Sequence, residues 1–392
     1  MAVDQPGKTD MRTKSEHAAS PGTRAGRIDE HSVPLFWPLA MAAAMEEAEF
    51  DLFRKNLKFA AEAEKLEYGL KPQFATPNRI LLELHTLRLR DFGDANAPAS
   101  PTLVNAPYAG HTAMIADYHK GQSLVETLLA NGHRRVLLTD WKSAGPEMKD
   151  YDIDNYLAEL NVCIDDLGGR VNLVGLCQGG WMSAMFAARY PEKVATLVLA
   201  GSPIDTQAGD GALKHLVNEM PADFFEELVQ AGGGLMRGRF MLEGWKNMNP
   251  EAQYIDKYLR LYEHIDDPDY VSKSETFARW YENPIDLPGR WYLQAVSELF
   301  KENRLAKGAF VGLGRRLSLG DIRCPAYLLA GTADDITPEA QVFAAESLLG
   351  TPKARIAKAL VPGGHVGLFM GEKTLREHWP EIARWIVREA QA

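Results

Sequence analysis

Val171-Asn172-Leu173-Val174-Gly175-Leu176-Cys177-Gln178-Gly179-Gly180 runs from a short apolar stretch into a glycine-flanked cysteine. The residues from Trp181 to Tyr190 then read as a helix. A buried strand that ends in Gly-x-nucleophile-x-Gly and turns at once into a helix is a nucleophile elbow, here with cysteine in the place more often held by serine. The glycines at 175 and 179 have a mechanical reason, because so sharp a turn leaves no room for side chains beside the nucleophile. The turn lifts the sulfur above the sheet and aims the amide N–H of Gln178 at a developing oxyanion. A cysteine in a strand–helix unit also serves as a small apolar core residue. Whether the chain supplies a base and an acid in the right places decides between the two.

A thiol at neutral pH is only a few per cent thiolate and needs a base, which in turn needs an orienting acid. The expected order along the chain is nucleophile, acid, histidine, with the last two on loops after late strands. Gly331-Thr332-Ala333-Asp334-Asp335-Ile336-Thr337-Pro338 follows the apolar run Pro325 to Ala330 and offers Asp334, with Asp335 in reserve. Val361-Pro362-Gly363-Gly364-His365-Val366-Gly367 follows the strand expected around Ala357 to Val361 and offers His365, whose flanking glycines let the backbone come close to the site. The second oxyanion donor is expected on the loop after an early strand, where Ala106-Pro107-Tyr108-Ala109-Gly110-His111 follows Pro101 to Asn105. Pro107 has no N–H, which leaves the Tyr108 amide, with Ala109 behind it. His111 and Trp141, the latter just after the strand Arg135 to Thr139, are placed on the same rim as substrate contacts.

The wider pattern fits a single fold class. Strand and helix alternate from about Leu81 to Leu199, which implies a mostly parallel sheet with helices on both faces. Strand signals then vanish between about Asp205 and Leu319, where aromatic-rich helical stretches take over, and the sheet resumes at Pro325. The expectation is an α/β-hydrolase fold with a helical cap insertion over the site. The boundaries are a disordered tail over 1–32, a helical segment over 33–75, a first core part over 76–204, the cap over 205–319 and a second core part over 320–392. Within 33–75, Phe36, Trp37 and Leu39 lead an amphipathic pattern that suits either a helix packed on the domain or one lying on an apolar surface.

Composition narrows the partners. A net charge of -10 over 392 residues argues against nucleic acid. Cys163, Cys177 and Cys324 are too few and too far apart for a disulfide framework or a zinc site, so a cytoplasmic location, a free thiol and no metal are expected. No dinucleotide or P-loop fingerprint stands in the chain, and no organic cofactor is expected. The start shows no secretory pattern, and Pro34 to Met45 is too short to span a bilayer.

From about Pro101 to Trp385, these motifs resemble the polyhydroxyalkanoate synthases and intracellular polyhydroxybutyrate depolymerases, which use a cysteine nucleophile. Gly175 to Gly180 resembles the synthase box, and Pro362 to Gly367 resembles the histidine loop of the two-subunit synthases. Ala106 to His111, Thr139-Asp140-Trp141 and Asp334-Asp335-Ile336 look like depolymerase segments, and the synthases usually carry Asp-His where this chain has Asp334-Asp335. The resemblance implies an acyl-cysteine enzyme. Its main reading is a hydrolase of intracellular polyhydroxyalkanoate polymer or oligomer. The alternatives are a synthase that polymerises 3-hydroxyacyl-CoA, a small-acyl esterase or thioesterase, and a non-catalytic protein of the granule surface. A homodimer or a partner subunit accompanies either enzymatic branch.

Overall fold

A computed structural model describes residues 47–68, 70–97, 100–248 and 255–391. The tail expected over 1–32 and the helical segment up to residue 46 lie outside them. The chain divides into residues 1–56 and a compact unit of residues 57–392, which carries the sheet and everything described below.

Eight strands form one sheet: β1 (Arg79–Glu83), β2 (Leu87–Asp91), β3 (Thr102–Asn105), β4 (Val136–Trp141), β5 (Val171–Leu176), β6 (Val194–Ala200), β7 (Ala326–Gly331) and β8 (Ile356–Val361). Their order is β1-β2-β4-β3-β5-β6-β7-β8. The first two pairings are antiparallel, and all others are parallel. Strands β5, β6 and β7 are buried at every residue, which explains their unbroken apolar runs. The stretch from Leu81 to Leu89, which reads as a strand or a helix-to-strand entry, holds parts of two strands and the turn between them. The turn between them is pinned by Glu159, whose carboxylate accepts from the His85 and Thr86 amides at 3.1 and 2.8 Å and from the Thr86 hydroxyl at 2.6 Å.

The helices start where their caps dictate. Ser123 accepts from the Glu126 amide and opens α2 (Leu124–Ala130), and an Asp152–Asn155 capping box opens α3 (Ile153–Asp166). Helix α4 (Gln178–Arg189) follows β5 without a linker and is buried from Gly179 to Ala188. Its helical face is therefore apolar all round, as a helix central to the core must be.

Between β6 and β7 the described chain is mainly helical: α5 (Ala212–Glu219), α6 (Ala222–Ala231), α7 (Gly238–Met248), α8 (Lys257–Glu263), α9 (Pro268–Tyr281) and α10 (Gly289–Gln294), which runs on as a π-helix over Ala295–Lys301. The sequence gives no strand signal here, yet Leu235–Met236 pairs with Leu287–Pro288, and Val311–Gly312 with Arg315–Arg316. Two-residue strands carry too little alternation to show in a pattern. A helix over Glu47–Tyr68 precedes the sheet, and its residues Phe59, Ala63 and Leu66 pack on Leu261, Ile265 and Ala278 of the α8–α9 region. Helix α11 (Trp379–Gln391) closes the unit through Trp379, Ile382 and Ile386.

Candidate active site

Cys177 sits between β5 and α4 at φ 50° and ψ -117°, a backbone conformation that L-residues rarely adopt. Its N–H donates to the Ala200 carbonyl at 2.9 Å, and its own carbonyl accepts from the Gly180 amide at 2.9 Å, so the strained residue is held from both sides. The neighbouring glycines are obligatory. A Cβ on Gly179 would collide with the Asn105 carbonyl oxygen, and one on Gly180 with the Ser202 hydroxyl.

The acid and base loops are tied together before any side chain is considered. Thr332 N–H donates to the Val361 carbonyl at 2.9 Å, and Ala333 N–H to that of Gly363 at 3.1 Å. Asp334 is buried. One carboxylate oxygen accepts from the Ile336 and Thr337 amides at 3.1 and 2.8 Å, and the other accepts from His365 Nδ1 at 2.7 Å. Asp335 turns outward; its main-chain carbonyl accepts from the Ala212 amide at 2.9 Å. The structure thus brings Asp334, not its neighbour, to His365.

Cys177 lines the same cavity as His365, and the charge of its sulfur acts on the ring. Burial works against a charged imidazole here, but the charge of the Cys177 sulfur and the hydrogen bond to Asp334 outweigh it and push His365 up to about 10. Asp334 thus orients the His365 ring at the cavity that Cys177 also lines.

Residues from both the sheet loops and the helical excursion enclose a cavity of about 520 Å³ above the sulfur. Cys177, Gln178 and His365 line it at one end, and its walls include Trp245, Phe277, Trp280 and Phe300. It is a largely apolar pocket of a size that takes a small organic ligand.

The remaining expected positions fall in different places. Gln178 is the first residue of α4, where an amide N–H has no partner within the helix. Pro107 and Ala109 line the cavity, whereas the Tyr108 side chain points away into a cluster with Tyr156, Trp141 and Trp291. Its hydroxyl donates to the Lys142 and Asp286 carbonyls at 3.1 and 3.2 Å. His111 reaches the cavity wall, but its Nε2–H is committed to the Tyr281 carbonyl at 2.9 Å, and its ring stacks on Tyr281. Burial pushes it down to about 4, so it is neutral at physiological pH.

Trp141 is 2% exposed and is not among the residues that line the cysteine cavity; it lines a second crevice beside it and donates from Nε1 to the Ala106 carbonyl at 2.9 Å, which braces the 106–111 loop from behind. Asn105, unremarked in the sequence, does related work. Its amide nitrogen donates to the Gly179 carbonyl at 3.0 Å and to Ser183 Oγ at 3.1 Å, while its oxygen accepts from the Thr139 hydroxyl at 3.1 Å. An asparagine ending a buried strand, where that residue is disfavoured, is the signal that could have found it. Among the described residues, no group of three or more His, Cys, Asp or Glu side chains could hold a metal ion, and no helix is long and apolar enough to cross a membrane.

The strand order and the cysteine elbow define an α/β-hydrolase-fold protein. Solved structures agree on the fold. The chain is similar to a monoacylglycerol lipase of Paleococcus ferrophilus, with a TM-score of 0.50 and 18% identity over 77% of this chain and 99% of that one. It is also similar to a Nitrososphaera gargenis structure from a study of carboxylesterases, with a TM-score of 0.51 and 16% identity over 79% and 99%. The chain belongs to the family described as protein of unknown function (DUF3141), whose model matches residues 83–351. It is 27% identical over 335 residues to the poly(3-hydroxyalkanoate) polymerase subunit PhaC of Allochromatium vinosum, covering 83% of this chain and 90% of that one. Against the protein of the same name from Haloferax mediterranei it is 26% identical over 329 residues, covering 81% of this chain but only 65% of that longer one. The resemblance to the polyhydroxyalkanoate group is therefore carried by relatives named polymerases.

Proposed function

We propose that the protein is an acyltransferase that polymerises 3-hydroxyacyl groups from CoA thioesters through an acyl-cysteine, with Cys177 as nucleophile, His365 as acid–base and Asp334 as its orienting partner. The observation that carries this reading is the strained elbow cysteine, which opens with the Asp334-bound His365 on one apolar cavity. His365 takes the thiol proton of Cys177. The thiolate attacks the thioester carbonyl carbon, the new S–C bond forms as the bond to the CoA sulfur breaks, and His365 gives its proton to the departing thiolate. The hydroxyl of a second 3-hydroxyacyl group then gives its proton to His365 and attacks the acyl-cysteine. An ester C–O bond forms, the Cys177–acyl bond breaks, and His365 returns the proton to the sulfur. The oxyanion of each tetrahedral intermediate rests on the Gln178 amide, at the positive end of α4, and on the Tyr108 amide.

The thiol depolymerase expected first from the sequence shares the acyl-cysteine and differs in the acceptor, water. Aromatic walls exclude water and favour transfer to an alcohol, and the names of the relatives support the same branch. The helical excursion over 205–319 acts in this reading as the cap that supplies those walls. A partner subunit is supported by the naming of the relatives as subunits.

The deciding experiment pairs two assays on purified protein, one with 3-hydroxybutyryl-CoA and one with amorphous polyhydroxybutyrate granules. Release of CoA with growth of polymer, lost in Cys177→Ala, is the expected result. Release of soluble hydroxy acid from granules without CoA turnover would move the protein to the depolymerase branch. Silence in both would point to a non-catalytic granule protein.

A further inference from the structure

Beside the cysteine cavity lies a second crevice of about 410 Å³ with a different character. Its walls include Phe74, Arg88, Arg90, Asp140 and Lys142, and Thr112 belongs both to it and to the cysteine cavity. Arg88 and Arg90 are two residues apart on β2 and so share a face, and the antiparallel register sets Asp140 of β4 opposite Arg88. In a chain of net charge -10, three cations converge on this one crevice.

Two carboxylates hold the cations without using them up. Arg90 donates from Nε to Asp140 at 2.7 Å and from Nη1 to Asn78 at 2.8 Å, and its guanidinium lies 4.3 Å over the Phe74 ring. Lys142 donates to the Leu84 carbonyl at 2.5 Å and pairs with Glu83 at 2.9 Å. Arg88 uses only Nε, toward Glu83 at 3.2 Å. Both of its terminal nitrogens, and Nη2 of Arg90, have no partner among the described residues. The Arg88 side chain is 38% exposed, so its fork is open to a ligand.

We propose that this crevice binds the phosphates of the CoA donor, with the acyl end of the same molecule in the cysteine cavity beyond Thr112. A planar guanidinium with two free donors matches a phosphate in bidentate fashion, and Arg90 and Lys142 add charge around it. The long pantetheine arm connects the two sites. This assignment rests on the acyltransferase reading above for its choice of ligand.

The test uses the full chain and two readouts. Calorimetry measures adenosine 3′-phosphate 5′-diphosphate, the nucleotide end of CoA, against the wild type and against Arg88→Ala and Arg88→Glu. Kinetics compare 3-hydroxybutyryl-CoA with the N-acetylcysteamine thioester of the same acid, which carries no phosphate. The nucleotide is expected to bind the wild type, to bind about tenfold more weakly to Arg88→Ala and more weakly still to Arg88→Glu, with salt weakening the complex. The preference in kcat/KM for the CoA thioester should fall by a similar factor, through KM. Undiminished nucleotide binding in both variants overturns the proposal, as does equal displacement by inorganic phosphate at the same concentration, which would mark an unspecific anion site. A protein that binds the nucleotide through Arg88 but turns over neither thioester keeps the crevice and loses the acyltransferase reading. Turnover of both thioesters with an unchanged preference in the variants does the reverse.

Discussion

At the scale of single residues, the site depends on how one proton is shared. His365 is buried, which alone would favour the neutral ring, and its elevation comes from the sulfur on one side and the carboxylate on the other. Removing the sulfur should therefore drop the ring's titration from about 10 toward lower pH. Ring ¹⁵N shifts of His365 recorded against pH in the wild type and Cys177→Ala check this, and an unmoved midpoint would exclude the sulfur as a source of the elevation. Asp334→Asn should act in the same direction, by loss of the second partner. The meeting of Asp334 with His365 was legible in the sequence because glycines and loop positions mark both loops. The inward turn of Trp141 was not, because an aromatic residue at a strand end gives no sign of which way it turns. The Tyr108 side chain was equally opaque, since the reading concerned only its amide.

At the scale of elements, the elbow shows how a backbone collision fixes geometry. Gly179 lies against the end of β3, so that α4 and the 106–111 loop meet through main chain, and the Asn105–Ser183–Thr139 network bolts them together. Gly179→Ala has no flexible side chain to displace and should cost about 3 kcal/mol or more, the upper range for overpacking of a tight site. Urea unfolding of the variant measures it, and a loss under about 1 kcal/mol would mean that β3 and α4 can part. Asn105→Ala should leave the elbow in place but loosen the 106–111 loop, so kcat falls more than KM rises. Strands β5, β6 and β7 were legible for the same reason that they pack well, as unbroken buried apolar runs. The β1–β2 hairpin was not, because its turn is made by the Glu159 carboxylate from a distant helix and not by turn residues of its own.

At the scale of the whole compact unit, His111 joins the 106–111 loop to the end of α9, whose Trp280 and Tyr281 form part of the cavity wall. The join requires a proton on Nε2, and burial keeps the rest of the ring unprotonated. Burial first, opposed by the hydrogen bond to the Tyr281 carbonyl, lowers His111 from 6.5 to about 4. The unfolded chain therefore takes up a proton at a higher pH than the folded one. The stabilisation is complete above about pH 6.5 and is lost as pH falls through about 4. The full effect of that difference is about 3 kcal/mol. His111→Gln offers an N–H to the same carbonyl but cannot titrate, so its stability should fall less than the wild type's on acidification. Urea midpoints at about pH 7.5 and about pH 4.5 for both proteins isolate the term, because every other titrating group is common to them. Parallel losses in the two proteins would show that the ring is not held neutral. A smaller loss in the variant would identify the loop-to-α9 join as the place where acid first opens the cavity.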